Sequence, residues 1–263
     1  TGAPTLYDEA PDNVALDYHY GDAEKIGAAF AGAAHVTRLS LRNTRLVVAA
    51  MEPRAAVAEY DLSSGRFTLH AQSQGVFGMK MQLAEILGVD PEKVRVLTGN
   101  VGGSFGMKAP VYSEYVCIAH AAKVLGRPVK WTDDRSGAFV SDSHGRDHEV
   151  DAELALDKDG KFLAIRVNAF ANMGAFLAPV APLPGTMNIV KNIVSVYETL
   201  LLELSSKCVF TNTTQVSAYR GAGRPEGNYF MERLIEEAAR VSGIDALALR
   251  RRNYIPSDAM PYA

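Results

Sequence analysis

Apolar and polar residues alternate from His35 to Arg42, which predicts a half-buried strand, and the same alternation returns at 56–61, 67–71, 148–156 and 162–170. Ser63-Ser64-Gly65 separates the second and third of these runs, and Asp157-Lys158-Asp159-Gly160 the fourth and fifth. Both spacers have turn chemistry, so two β-hairpins are expected. Helical spacing appears at 77–87, closed by Gly88, at 111–125, closed by Gly126, and at 226–241 after Pro225; another helix is expected to begin at Asp245. Within the polar, Ala- and Gly-rich segment 12–33, residues 21–30 read as a short capped helix with Asp22 available as N-cap. Short strands are predicted at 94–97 and from Val129, residues 45–50 form a brief apolar run, and three prolines keep 178–184 out of any helix interior. Strands and helices do not alternate strictly, so the expected class is α+β, mixed sheets with packed helices. No repeat or linker composition marks a boundary, and a subdomain divide is expected near residue 130.

Composition narrows the function classes. The chain of 263 residues is 48% hydrophobic, enough for one large core or two ordinary ones. Its net charge of −3 comes from acidic and basic residues mixed along the sequence, which argues against nucleic acid or an anionic membrane as partner. No apolar run approaches the ~20 residues that span a bilayer. Cys117 and Cys208 each lack a second cysteine at metal or redox spacing, which excludes a zinc ribbon or iron–sulfur ligation by cysteines of this chain. Cys117 falls in an apolar helical stretch and is expected to be a buried, inert thiol. The start, Thr1-Gly2-Ala3-Pro4, suggests a piece of a longer protein.

Two glycine-rich segments carry the candidate chemistry. Gly99-Asn100-Val101-Gly102-Gly103-Ser104-Phe105-Gly106-Met107-Lys108 lies between a predicted strand and a predicted helix. Glycines there admit positive φ and let N–H groups approach an anion, with the following helix start adding positive potential. The same residues could equally serve packing, and neither the P-loop ending nor the Rossmann spacing is present. Ala218-Tyr219-Arg220-Gly221-Ala222-Gly223-Arg224-Pro225-Glu226 adds two guanidinium groups suited to phosphate, or alternatively to surface salt bridges near Glu226. Gln74, at a strand end, could donate to a metal oxo group or a ligand carbonyl without placing a charge there, or simply be solvated. Glu52 and Arg54, flanking Pro53, read as a structural pair.

In order along the chain, Glu52-Pro53-Arg54, Gln74-Gly75, Val94-Arg95-Val96, Gly102-Gly103-Ser104-Phe105-Gly106, Gly126-Arg127-Pro128-Val129 and Ala218-Tyr219-Arg220-Gly221 resemble the large subunits of the molybdenum hydroxylases. That family includes xanthine dehydrogenase, aldehyde oxidase and aerobic carbon monoxide dehydrogenase. The resemblance covers nearly the whole chain and implies a molybdopterin-binding region, 1–263, within a larger subunit. It places Gln74 beside the apical oxo ligand of molybdenum, without direct metal ligation by any residue. Gly102, Gly103, Ser104, Phe105 and Gly106, with Arg220, Gly221 and Ala222, become the expected cofactor contacts. The implied cofactor is molybdenum–molybdopterin cytosine dinucleotide, with FAD and 2Fe–2S clusters on partner subunits or domains, in a cytoplasmic dimer of heterotrimers.

Departures from the family pattern refine this expectation. Purine-hydroxylating members place a glutamate where this chain has Ala109, an aromatic where it has Ala222, and a substrate-contacting arginine that aligns with Asn188, so xanthine is a poor substrate guess. Carbon monoxide dehydrogenases proper carry a copper-holding cysteine where Gly221 stands. The form Ala-Tyr-Arg-Gly-Ala-Gly-Arg instead resembles carbon monoxide dehydrogenase-like relatives. Nicotinate, isoquinoline or aldehyde hydroxylases, and an empty scaffold or subunit-interaction domain, are the alternatives. The resemblance implies oxidative hydroxylation with water-derived oxygen, the metal acting as Lewis acid and electron sink. The family's glutamate base is expected beyond Ala263, so no catalytic residue is assigned here and the chain alone is expected not to turn over. Glu226, Glu232 and Glu236 are expected to be solvated or capping.

Overall fold

The computed structural model describes residues 2–199 and 201–262. Its chain divides into two compact units, Thr1–Leu46 with Gly145–Ala263, and Val47–His144. The divide expected near residue 130 is therefore displaced: Val129–Thr132 is a strand inside the second unit, and the chain passes between units at 46/47 and 144/145.

The first unit is built on a five-stranded sheet in the order β1 (Val14–Tyr20), β9 (Leu202–Phe210), β8 (Phe162–Gly174), β7 (His148–Leu156), β2 (His35–Asn43). Only β8 and β9 run parallel. The β7–β8 hairpin closes as its sequence predicts: Asp157 Oδ1 accepts the N–H groups of Asp159 and Lys161, each at 2.8 Å, and Gly160 takes φ +84°. Helix α6 (Arg224–Ser242) buries Phe230, Met231, Leu234, Ile235 and Ala238 against the sheet, in one cluster with Leu154, Ile165, Val167 and Leu204. Each such large side chain contributes roughly 1.5–3 kcal/mol by leaving water. Helix α1 (Ala23–Ala31), capped by Asp22 as expected, packs Ile26 on Ala155 and Ala164. Helix α7 (Ala246–Asn253) is capped by Asp245, whose carboxylate accepts from Leu247 and Ala248. The short helix α5 (Met187–Val190) lies next to α6.

The second unit holds a four-stranded sheet in the order β5 (Val94–Leu97), β4 (Arg66–Ala71), β3 (Ala55–Asp61), β6 (Val129–Thr132), with β4 and β5 parallel. Helices α2 (Val76–Leu87) and α3 (Ser113–Leu125) pack against it. Each ends on a left-handed glycine, Gly88 and Gly126, both at φ +64°. Helix α4 (Arg135–Ser141) starts at Asp134, whose side chain accepts from Gly137.

The α+β class with two mixed sheets is thus observed, with local departures. β1, β9, α4 and α5 lie where the pattern predicted no element. Residues 45–50 form no strand and contribute one isolated bridge, between Leu46 and Gly145. Cys117 is exposed, because α3 buries Tyr115, Ile118, Ala119 and Ala122 and turns residue 117 to the other side.

Candidate functional site

In the second unit, β5 ends at Leu97 and α3 begins only at Ser113, with Tyr112 as its N-cap. The first glycine loop therefore does not sit on a helix start, and the helix-terminus potential expected for it is absent. Its shape comes instead from turns: Met107 N–H donates to Ser104 O at 3.0 Å and Ala109 N–H to Gly106 O at 3.3 Å. Gly103, Phe105 and Gly106 take φ of +100°, +54° and +102°, the Phe105 value being one that a residue with a side chain rarely adopts. A Cβ on Gly102 would lie 2.5 Å from Glu52 Cβ, so glycine is required there by close approach.

Gln74 and Glu52 hold this loop. Gln74 Oε1 accepts from Ser104 Oγ at 2.6 Å and from Gly106 N–H at 2.8 Å. A backbone N–H can only donate, so the Gly106 contact fixes the amide oxygen toward the loop and leaves Nε2 as the outward donor. Among the described residues that Nε2, and the backbone N–H groups of Gly103 and Ser104, have no protein acceptor. Glu52 Oε2 accepts from Gly102 N–H at 2.8 Å and from the buried Lys108 Nζ at 2.9 Å. Burial works against this carboxylate's charge, but those two bonds outweigh it and hold Glu52 below its ordinary pKa.

The expected pairing of Glu52 with Arg54 does not occur. Arg54 is fully buried and meets Asp142 at 2.5 Å, Glu114 at 3.2 Å and Asp133 at 3.7 Å, with its guanidinium 3.7 Å from the centre of the Tyr112 ring. Such a set fastens β3, α3 and α4 together within the unit and touches no loop glycine.

In the first unit, residues 221–223 are all left-handed, with φ of +94°, +42° and +97°, and α6 starts directly after them. Glu226 is buried and capping, not solvated: Oε2 accepts from Gly223 N–H at 2.8 Å and Oε1 from Arg146 Nη1 at 2.8 Å. The N–H of Gly221 has no protein acceptor among the described residues, whereas that of Ala222 bonds Tyr219 O at 2.7 Å. Asn188 Nδ2 donates to Ala222 O at 2.8 Å, which gives it a loop-holding role. Arg220 and Arg224 are exposed, and Arg224 Nη1 reaches Gly221 O at 3.3 Å. The anchor that sequence reasoning missed is Arg146, which donates to Tyr219 O, Arg220 O and Glu226.

Glu232 and Glu236 are engaged elsewhere, Glu232 by Tyr197 Oη and Arg250 and Glu236 by Arg250, each at 2.7 Å. Among the described residues no three His, Cys, Asp or Glu side chains converge as a metal site, and no helix is long and apolar enough to cross a membrane. Each loop thus offers N–H donors, joined by an amide in one and by guanidinium groups in the other, with its nearby carboxylate already paired. Such a donor set fits an oxo or phosphate-bearing group and does not fit a directly ligated cation.

Comparison with known proteins gives the same direction. Residues 6–254 match the family model of the molybdopterin cofactor-binding domain. The chain is 35% identical over 248 residues to the 6-hydroxypseudooxynicotine dehydrogenase complex subunit gamma of Paenarthrobacter nicotinovorans, covering 92% of this chain and 30% of that one. It is 32% identical over 244 residues to the carbon monoxide dehydrogenase large chain of Hydrogenophaga pseudoflava, with the same coverage, 92% and 30%. Among solved structures, reconstituted CO dehydrogenase from Oligotropha carboxidovorans superposes with a TM-score of 0.89 at 32% identity, over 95% of this chain and 31% of that one. The chain spans about 30% of the length of the curated relatives it matches.

Proposed function

The chain belongs to the molybdopterin cofactor-binding domain family, and from that premise we propose that it supplies cofactor contacts to the large subunit of a carbon monoxide dehydrogenase-like molybdenum hydroxylase. The observation that carries this reading is the Gln74 amide. With Oε1 held by Ser104 and Gly106, its Nε2 is left as a neutral donor on a loop whose Gly103 and Ser104 N–H groups have no protein acceptor among the described residues. That arrangement suits a terminal oxo group, which accepts hydrogen bonds. Gly102 and Gly106 give the loop its shape, and Phe105 contributes an exposed aromatic face. In the other unit Arg220, Gly221 and Ala222 are assigned to the cofactor, Gly221 through its N–H and Arg220 through a charged fork suited to phosphate.

When bound, a molybdenum–molybdopterin cytosine dinucleotide supplies Lewis acidity and an electron sink for hydroxylating a small molecule with oxygen from water. The residues of this chain bind and orient; none is assigned as proton acceptor, because Glu226, Glu232 and Glu236 are committed to Arg146, Tyr197 and Arg250. Electrons would leave through FAD-binding and iron–sulfur subunits in a cytoplasmic dimer of heterotrimers. Gly221 and Ala222 speak against copper ligation and purine stacking at those positions. The 35% identity to the 6-hydroxypseudooxynicotine dehydrogenase subunit favours a second reading, a hydroxylase of nitrogen heteroaromatic compounds.

Metal and pterin analysis of the whole complex tests the proposal. Stoichiometric molybdenum with a pterin nucleotide is expected, reduced several-fold in Gln74→Leu; a folded complex without molybdenum would refute it.

A further inference from the structure

Arg146 and Asp147, just before β7, are consecutive left-handed residues with side chains, at φ +67° and +69°. Such backbone is strained and persists only where the surroundings enforce it. They do so here. Asp147 Oδ2 accepts from Arg45 Nε at 2.8 Å and Asn172 Nδ2 at 2.9 Å, its carbonyl accepts from Asn172 N–H at 3.1 Å, and Gly145 exchanges backbone bonds with Leu46 at 3.0 and 2.9 Å.

The turn so enforced carries the nearly buried guanidinium of Arg146 to the second glycine loop. Nη1 donates to Tyr219 O at 3.1 Å and to Glu226 Oε1 at 2.8 Å, Nη2 donates to Arg220 O at 2.9 Å, and the group lies 4.9 Å from the Tyr219 ring centre. In a planar trans peptide the C=O and N–H point in opposite directions. A fork that grips the carbonyl of Arg220 therefore turns the N–H of the same peptide, that of Gly221, to the side away from Arg146. Capping of α6 does not require this grip, because Glu226 Oε2 alone satisfies Gly223 N–H. Lysine, a single point charge, could not span two carbonyls and a carboxylate in one plane.

We propose that Arg146 is a positioning residue that aims the backbone N–H of Gly221 at the cofactor, an inference that rests on the cofactor reading above. Its test uses the full large subunit in its complex, produced in one host that makes the molybdopterin cofactor and in another that does not. Molybdenum per subunit after dilution and the melting midpoints of loaded and empty forms are measured. For Arg146→Lys we expect roughly tenfold weaker retention of molybdenum, as loss of about one oriented hydrogen bond implies. The midpoint gap between loaded and empty protein should narrow with it, since that gap reports binding to the folded state.

A merely structural role would lower both midpoints together and leave the gap and the retention unchanged, which would overturn the proposal. Arg146→Gly, whose backbone is relieved at φ +67°, repeats the test if the lysine variant does not fold, and recovery of molybdenum retention on adding guanidinium ion would support it. Failure of both variants to fold would assign Arg146 to the fold and overturn it as well. Absence of molybdenum from the wild-type complex would refute the cofactor reading and the proposal with it, whereas normal loading of Arg146→Lys would refute the proposal alone.

Discussion

Lys108 Nζ lies 2.9 Å from Glu52 Oε2, the same oxygen that accepts the N–H of Gly102 at 2.8 Å. The two charges are unequally placed: the lysine side chain is fully buried, while 36% of the glutamate side chain is exposed. Removing either partner should therefore have a different cost.

Glu52→Gln leaves a buried ammonium without its counter-charge and should destabilise the unit Val47–His144 by about 3–5 kcal/mol. Lys108→Met leaves a carboxylate that water can reach and should cost about 1 kcal/mol or less. Denaturant midpoints of the two single variants and the double variant check this; equal losses would defeat the argument. A pH effect accompanies it. Because the folded-state pKa of Glu52 lies below its unfolded value of about 4.5, its contribution is complete above that pH and fades as pH falls through the lower folded value.

Such pairings mark the limit of what one sequence discloses. The Asp157 turn, the Asp22 cap, the helix start near Asp245 and the Gly88 and Gly126 stops were legible because each acts within a few residues of itself. β1 and β9 were not, since burial there departs from hydropathy: Leu16 is exposed while Glu203 is buried, paired with Arg166 at 2.8 Å. Cys117 misled because α3 is apolar over more than its buried face. Both glycine loops stood out by composition, yet their anchors did not: Arg146 lies 73 residues before Tyr219, and nothing local in either segment announces the contact. The insertion of 47–144 into the first unit left no linker signature either.

Arg54 should prove the most sensitive polar position of its unit. Arg54→Met strands Asp142, 2% exposed in its side chain, and should cost about 3–5 kcal/mol. Arg54→Lys should recover only part of that, because an ammonium cannot reproduce the contacts to Asp142 and Glu114 while stacking on Tyr112. Full recovery of the denaturation midpoint by lysine would show that charge alone matters.

The two cysteines should separate cleanly in thiol titration. Cys117 is exposed and should react promptly with an aromatic disulfide reagent at neutral pH. Cys208 is buried, and burial raises its thiol pKa to about 11, so it should react only as the first unit unfolds. Two fast equivalents in native protein would contradict the placement of β9.

His148 should give the first unit a distinct acid sensitivity. Burial lowers its pKa to about 4, with Asp147 pulling it up and Arg146 pushing it down, and its Nδ1 has no hydrogen-bond partner among the described residues. In the unfolded chain an imidazole titrates near 6.5, so between the two values the unfolded state binds a proton that the folded state refuses. Stability is therefore complete above about pH 6.5 and lost progressively down to about pH 4, by about 3 kcal/mol in all. His148→Leu removes the titrating group, and the stability of the variant should be flat through that window once its own packing loss is subtracted. Denaturant unfolding of wild type and variant at successive pH values between 7 and 4 measures the difference directly. An identical slope in both proteins would transfer the acid sensitivity to other groups and leave His148 as an inert part of the core beside Phe230.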